Sequence, residues 1–301
     1  MLEATVLIPA YNATRYLART LESVVGQSYP HWHIVLVDDG SSDGTASLAE
    51  DFAARIPGRM TVLRKPNGGV SSARNLGIRE SQGDLLALLD ADDIWLPNRL
   101  SETVKPFEAD SEVGLVYGRI VRIDPDGEVL GPPQNPQPPG GAVAMVDIYV
   151  RRVHIPSPTV TIRRSCLDRV GLFDETLVTT EDRDLWMRIA AEYKVVYVPE
   201  VIAQYRIAPG SITKNTDRML RNQLRFIEKH ASDRGIGPSV VRQALSATYR
   251  DQGDVHELNG NWSTAARYFA RAIQHWPWDS VAYRSLVRAL WNRNTAAGAN
   301  R

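Results

Sequence analysis

One cysteine, Cys166, stands in 301 residues, so no internal disulfide framework is available to hold a fold together. Nowhere does an apolar run approach the roughly 20 residues that span a bilayer. Excess charge is missing too. The 35 Lys and Arg balance the 35 Asp and Glu, so no global field favours nucleic acid or an anionic membrane surface, and any anionic ligand has to be held locally. The opening "MLEATVLIPAYN" turns polar too soon for a secretory leader. Also absent are the spaced glycine fingerprint of dinucleotide sites and the Lys-Ser or Lys-Thr pair of a phosphate loop. A cytoplasmic protein without a nucleic-acid partner is expected, with peripheral association at the inner membrane face left open. Its 43% hydrophobic content is ample for a core.

What is present is alternation. "ATVLIP" precedes an amphipathic stretch from Tyr16 to Val25, "HIVLVDD" precedes Ala46 to Arg55, "MTVLR" precedes Ser71 to Ile78, and then "LLALLD" arrives. Strand, helix, strand, helix predicts stacked βαβ units on a mostly parallel sheet flanked by helices. The continuous apolar run Leu85 to Leu89 has the pattern of a strand covered on both faces. In such sheets ligands bind outside the carboxyl ends of the strands. The unusual residues lie there: "PAYN", "DDGSSDGT", "KPNGGVSSARN" and "DADD".

Further on, "VGLVYGRIVRIDPDGEVLG" predicts two strands joined at "DPDG", and the Pro- and Gly-rich stretch Gly131 to Gly141 predicts a loop. A short helix near Met145, a strand "SPTVTI", a helix in "TTEDRDLWMRIAAEY" and a strand "KVVYVP" follow. From Thr216 on the pattern is helical, which predicts a first domain over 1–212 and a helical region over 213–301. Within the latter, Tyr249, Gly253, Gly260, Trp262, Ala265, Phe269, Ala272 and Pro277 fit one tetratricopeptide-like unit at about 246–279. One such unit serves either as a helical cap or as a surface for a protein partner.

Asp90, Asp92 and Asp93 crowd the end of that buried strand. Carboxylates this close repel one another, and a divalent cation is the usual resolution. Mg²⁺ and Mn²⁺ accept one or two carboxylates and fill their other positions with water or ligand phosphates. The pattern therefore points to a metal carrying a diphosphate. Asp38 and Asp39 end another strand, where a carboxylate can accept from a ribose hydroxyl or a base N–H, with Ser42 or Asp43 placed to cap the next helix. In "TEDRDLW", the apolar face of Leu185, Trp186 and Ile189 places Glu181 and Asp182 at a helix N-terminus, as cleft acids or as partners of the helix dipole.

"VLIPAYNA", "VDDGSSDGT", "NGGVSSARNLGI", "LLDADDIWLP" and "TEDRDLWMRIA", in this order from about Thr5 to Tyr205, resemble the family 2 glycosyltransferases of the GT-A fold. That resemblance implies an inverting transfer of a sugar from a nucleotide-diphosphate donor, a UDP-sugar first, with Mg²⁺ or Mn²⁺. The acceptor it implies is a saccharide or a lipid-linked saccharide, in polysaccharide or glycoconjugate synthesis. Carried over by position, Pro9, Tyr11, Asp39 and Arg74 line the nucleoside pocket, Asp90 sits near the ribose, and Asp92 binds the metal. Asp93 resembles a capping or supporting residue. Inverting displacement needs a carboxylate opposite the leaving group, and the resemblance selects Asp182 over Glu181 for it.

One position departs from the family pattern. Where relatives often have Tyr-Arg-x-His-x-x-Ser, "YRIAPGS" places Ala208, with Tyr205, Arg206 and Ser211 kept; His154 is read as an ordinary packed or solvated residue, with compensation for the missing His as the alternative. The departure leaves a catalytically inactive sugar-nucleotide sensor or scaffold as one rival. A nucleotidyltransferase is the other, although "PAYNATRY" lacks the Gly, Arg and Lys that such an enzyme carries after its first strand.

Overall fold

The computed structural model describes residues 1–135, 138, 143–207 and 216–299, with only the backbone at 216 and 294–299. It comprises two compact units. The first is Met1–Met145, Val153–Thr176 and Glu181–Ser211; the second is Val146–Arg152, Leu177–Thr180 and Ile212–Arg301.

The first unit opens with the alternation the sequence predicts: β1 (Ala4–Ala10), α1 (Leu17–Val25), β2 (Trp32–Asp38), α2 (Thr45–Arg55), β3 (Met60–Arg64), α3 (Val70–Glu80) and β4 (Leu85–Leu88). These four strands pair in parallel in the order β3-β2-β1-β4. The order reverses at β1, because the chain adds β2 and β3 on one side and β4 on the other. That reversal opens a crevice beyond the carboxyl ends of β1 and β4. β4 is wholly buried, as its unbroken apolar run requires. α3 lies close against the sheet because Gly77 has no side chain: a Cβ there would overlap Leu7 Cδ1 and come within 3.1 Å of Val37 Cγ2.

The chain continues through β5 (Ile94–Trp95), α4 (Arg99–Ala109), β6 (Val113–Ile123), α5 (Met145–Tyr149), a 3₁₀ turn (Ser157–Thr159), β7 (Thr161–Arg163), α6 (Cys166–Val170), α7 (Glu181–Glu192) and β8 (Lys194–Arg206). The sheet is completed as β3-β2-β1-β4-β7-β6-β8-β5. Here β7 runs antiparallel to both β4 and β6, β8 is parallel to β6, and β5 is antiparallel to β8. The result is a mixed α/β sheet, parallel in its first half.

Two expected strands differ. The chain beyond "DPDG" returns along β6 only through isolated bridges, Val129 to Ile123 and Gln134 to Ile120. Pro132 and Pro133 lack the N–H groups that a longer ladder needs. The expected strand "SPTVTI" begins instead as the 3₁₀ turn, with a proline in its first turn, and is extended only from Thr161. Of the loop over 131–141, positions 136, 137 and 139–141 lie outside the described residues.

The second unit carries α8 (Thr216–His230), α9 (Pro238–Leu258), α10 (Trp262–His275) and α11 (Ser280–Ala299). α9 and α10 pack at Gly253, where a Cβ would overlap the Phe269 ring. Tyr249 stacks on His275, and His256 stacks on Tyr268. Among the described residues no helix is long and apolar enough to cross a membrane.

Candidate functional site

The acidic turn after β4 is tied down from two sides, by α1 and by β8. Thr20 on α1 donates its hydroxyl to the carbonyls of Ala91 (3.0 Å) and Asp93 (2.8 Å). From β8, the Arg206 backbone N–H donates to Asp93 Oδ1 (2.8 Å) and Arg206 Nε donates to the Asp92 carbonyl (2.8 Å). The same guanidinium reaches the carbonyls of Asp124 (2.9 Å) and Pro125 (3.0 Å) and lies over the Tyr16 ring. Asp93, buried and bonded to backbone, supports the turn from inside.

Asp92 is half-buried. Burial, and then the charge of Asp90, push its carboxyl up to about 6, and burial with Asp92 and Asp90 pushes Asp93 up as well. A cation beside Asp92 would relieve that crowding. Among the described residues no three His, Cys, Asp or Glu side chains gather into a protein-only metal cage. One or two carboxylates with open positions is the donor set suited to a Mg²⁺ or Mn²⁺ ion shared with a diphosphate. The residues present therefore fit such an ion.

Arg74 on α3 is the fixed positive charge of the site. Its Nη2 meets Asp90 Oδ1 at 2.7 Å, and its Nη1 lies 3.9 Å from Glu181 Oε1. Burial works against its charge; Asp90, Glu181 and Asp182 outweigh that and hold it protonated. Glu181, the first residue of α7, is raised to about 7 by burial and by Asp182, with Arg74 opposing. An acid that merely complements a helix dipole in solvent would be lowered, so dipole pairing alone does not explain Glu181. Asp182 beside it accepts from the Arg183 N–H at Oδ1 (2.6 Å) and from Ser157 Oγ at Oδ2 (3.2 Å). Tyr205 links the groups. After burial, Asp93, Asp90, Asp92 and Asp182 all hold its hydroxyl well above the usual phenol range.

The Glu181 shift has a measurable sign. A carboxyl raised in the folded state contributes stability below its ordinary value near 4.5, and loses it as pH climbs through about 7. Glu181→Gln, neutral at every pH, is expected to melt at a higher temperature than the parent at pH 8, with the gap closing toward pH 5. Thermal denaturation across that range checks it, and a gap that widens in acid contradicts the burial argument.

At the ends of β1 and β2 the loops hold one another. Asn12, in the left-handed region at φ 49°, donates its N–H to Ser41 Oγ (2.9 Å) and accepts from the Ser42 N–H (2.9 Å). Asp43 accepts from Thr45 and Thr14, which lower it to about 2. Asp39 is buried and already engaged: Lys65 Nζ (2.5 Å) and the N–H groups of Gly68 (3.0 Å) and Gly69 (2.8 Å) all donate to its carboxylate. It thus shapes the glycine turn before α3 while retaining acceptor capacity, because a carboxylate offers about four lone-pair directions. Pro9 is partly exposed and Tyr11 exposed at the mouth of this region.

Of the residues singled out in the sequence, Arg74, Asp90 and Glu181 form one ion-pair cluster. Asp182 adjoins it in the chain, and Asp92 stands two residues from Asp90. Pro9, Tyr11 and Asp39 stand apart from the cluster, one and two strands from β4. His154 is exposed, with Nδ1 3.4 Å from Asn135 Oδ1. Ala208 and Ser211 lie outside the described residues. Two partners escaped the sequence. Lys65 immediately precedes the "PNGG" turn and pairs with Asp39, and Ser157 sits between two prolines in "VHIPSPTV", the one local sign of a stiffened segment.

Comparison with known proteins bears on the family and the fold. A family model described as Glycosyl transferase family 2 matches residues 5–171. An uncharacterized glycosyltransferase of Rickettsia prowazekii (strain Madrid E) is 28% identical over 213 residues, which is 69% of this chain and 65% of the relative's own length. A putative teichuronic acid biosynthesis glycosyltransferase of Bacillus subtilis (strain 168), TuaG, is 28% identical over 217 residues, 70% of this chain and 81% of that one. Among solved structures, S. aureus TarS in complex with UDP-GlcNAc aligns with a TM-score of 0.68 at 19% identity, over 91% of this chain and 81% of that one. The mannosyltransferase PcManGT from Pyrobaculum calidifontis, in complex with GDP-Man and Mn²⁺, aligns with a TM-score of 0.67 at 21% identity, over 96% and 80%. At these identities the structural likeness establishes the GT-A fold.

Proposed function

The chain belongs to glycosyl transferase family 2, and from that premise we propose that it moves a sugar from a nucleoside-diphosphate donor to an acceptor hydroxyl with inversion at the anomeric carbon. The observation that carries this is the convergence at the end of β4: Asp92 raised by burial and by Asp90, Arg74 held between Asp90 and Glu181, and Asp182 next to Glu181 in the chain. A UDP-sugar is the first candidate donor. TarS and PcManGT were solved with UDP-GlcNAc and GDP-Man, which supports a nucleotide sugar without choosing between bases. A saccharide or lipid-linked saccharide is the proposed acceptor; a relative assigned to teichuronic acid synthesis supports that class.

In this mechanism the strand ends hold the nucleoside. Pro9, Tyr11, Asp39 and Arg74 would line the nucleoside pocket, with Asp90 near the ribose. Asp92 would hold the divalent cation, which when bound supplies neutralisation of the charge growing on the diphosphate leaving group. Asp182 accepts the proton of the acceptor hydroxyl as that oxygen attacks from the face opposite the diphosphate. The helical region over 213–301, with its tetratricopeptide-like unit, is proposed as a cap or partner surface. The Gly253 and Phe269 packing supports the repeat assignment.

Product stereochemistry tests the mechanism. With an α-linked donor, NMR of the product is expected to show a β linkage. An α linkage overturns single displacement and with it the role given to Asp182.

A further inference from the structure

We infer that Ser157 is a positioning residue for Asp182: its hydroxyl, carried on a turn clamped by two buried side chains, donates to Asp182 Oδ2 and fixes the direction in which that carboxylate meets the acceptor. The inference rests on the proposed assignment of Asp182 as general base.

The bond is direct, Ser157 Oγ to Asp182 Oδ2 at 3.2 Å, and Ser157 is buried. Asp182 Oδ1 is meanwhile held by the Arg183 N–H, so the two bonds together determine the plane of the carboxylate. An isolated aspartate rotates freely about its terminal torsion. Bonded at both oxygens, Asp182 presents one orientation.

A serine can orient a base only if it is itself immobile, and this one is held on every side. Prolines precede and follow it and limit the backbone torsions. The Val160 N–H donates to the Ser157 carbonyl (3.0 Å), while Thr159 returns its hydroxyl to the Pro156 carbonyl (2.8 Å). Trp95, 2% exposed, donates its indole N–H to the Pro158 carbonyl (2.7 Å). Arg99, fully buried and lying over the Trp95 ring, donates to the Val160 carbonyl (2.6 Å) and to Thr161 Oγ1 (2.5 Å). A buried guanidinium spent on a carbonyl and hydroxyls rather than on a carboxylate is costly, and here it anchors the segment that carries Ser157. Trp95 also belongs to β5, directly after Asp92 and Asp93. The turn that holds the metal candidate and the turn that orients the base candidate are thus two ends of one rigid piece.

The chemistry follows from donor and acceptor roles. An ionised carboxylate only accepts, so Ser157 donates and holds the accepting lone pairs of Asp182 in one direction. Loss of the hydroxyl should therefore affect the proton-accepting step and leave nucleotide binding alone.

The test compares the full-length parent, Ser157→Ala and Ser157→Thr with Mn²⁺ and the nucleotide sugar the parent turns over in a screen that starts from UDP-GlcNAc and GDP-mannose. Ser157→Ala is expected to lose roughly tenfold to a hundredfold in kcat with KM for the donor unchanged. Ser157→Thr keeps the hydroxyl and should restore kcat. An Ala variant with the parent's kcat overturns the inference. So does a Thr variant that behaves like Ala, or a loss that appears equally in donor affinity and melting temperature. Asp182→Asn run alongside separates the two claims: an active Asn variant removes the base assignment itself, whereas an inactive one beside an unaffected Ala variant removes only the role of Ser157.

Discussion

Asp182→Asn is expected to lower sugar transfer by about 10²- to 10⁴-fold while leaving donor affinity close to that of the parent. Asparagine keeps the shape: its amide oxygen can still accept from the Arg183 N–H while its NH₂ donates to a Ser157 hydroxyl that has turned round, but it takes up no proton. The contacts proposed for the nucleotide lie at the ends of β1 and β2, on α3 and in the turn after β4, and Arg74, which feels the Asp182 charge, keeps its direct partners Asp90 and Glu181. A complication is built into the site, because Asp182 is one of the charges that hold Glu181 at about 7. With Asp182 neutral, Glu181 ionises more readily and becomes a substitute base. Any residual rate in Asp182→Asn should therefore fall further in the double variant with Glu181→Gln. Single-turnover rates together with calorimetry of donor binding check both points. Full transfer by the Asn variant would move the base to Glu181 or out of α7 altogether.

Asp92→Asn is expected to produce two changes of opposite sign. Metal-dependent donor affinity should collapse, because the substitution removes the anionic ligand proposed for the cation. Stability without metal should rise at pH 7. The Asp92 carboxyl, raised from 3.8 to about 6, contributes stability below its unfolded value and loses it as pH rises through 6, so at neutral pH it is a cost of burial that asparagine does not carry. A shift of roughly two pH units corresponds to at most about 3 kcal/mol. The melting-temperature gain should vanish near pH 4. Titration calorimetry with a nucleoside diphosphate, with and without Mn²⁺, together with melting curves at the two pH values, tests the pair. Retained Mn²⁺ dependence with no gain in stability would remove Asp92 from the metal site.

Much of the first unit was legible without coordinates. "MTVLR" is β3 residue for residue, and the unbroken run from Leu85 predicted a strand covered on both faces, because strand and helix periods act over a few residues and leave their mark on the chain. The acids of the turn after β4 and of α7 were legible as a group for the same reason, since each lies where a periodic segment ends. The alternating α/β plan, the family resemblance and the identity of the acids follow from the order of residues along the chain. Which of those acids meet follows from how the strands and loops assemble in space. Asp93 is bonded to a residue 113 positions away, and Ser157 reaches Asp182 across 25 positions from a segment whose strand inserts antiparallel between β4 and β6. The state of Glu181 depends on Arg74 and on burial, and neither leaves a local trace in "TTEDRDLW". Period and propensity are properties of neighbours along the chain, whereas charge coupling and desolvation depend on distance and dielectric in space, which exist only once the sheet order β4-β7-β6-β8 has been assembled.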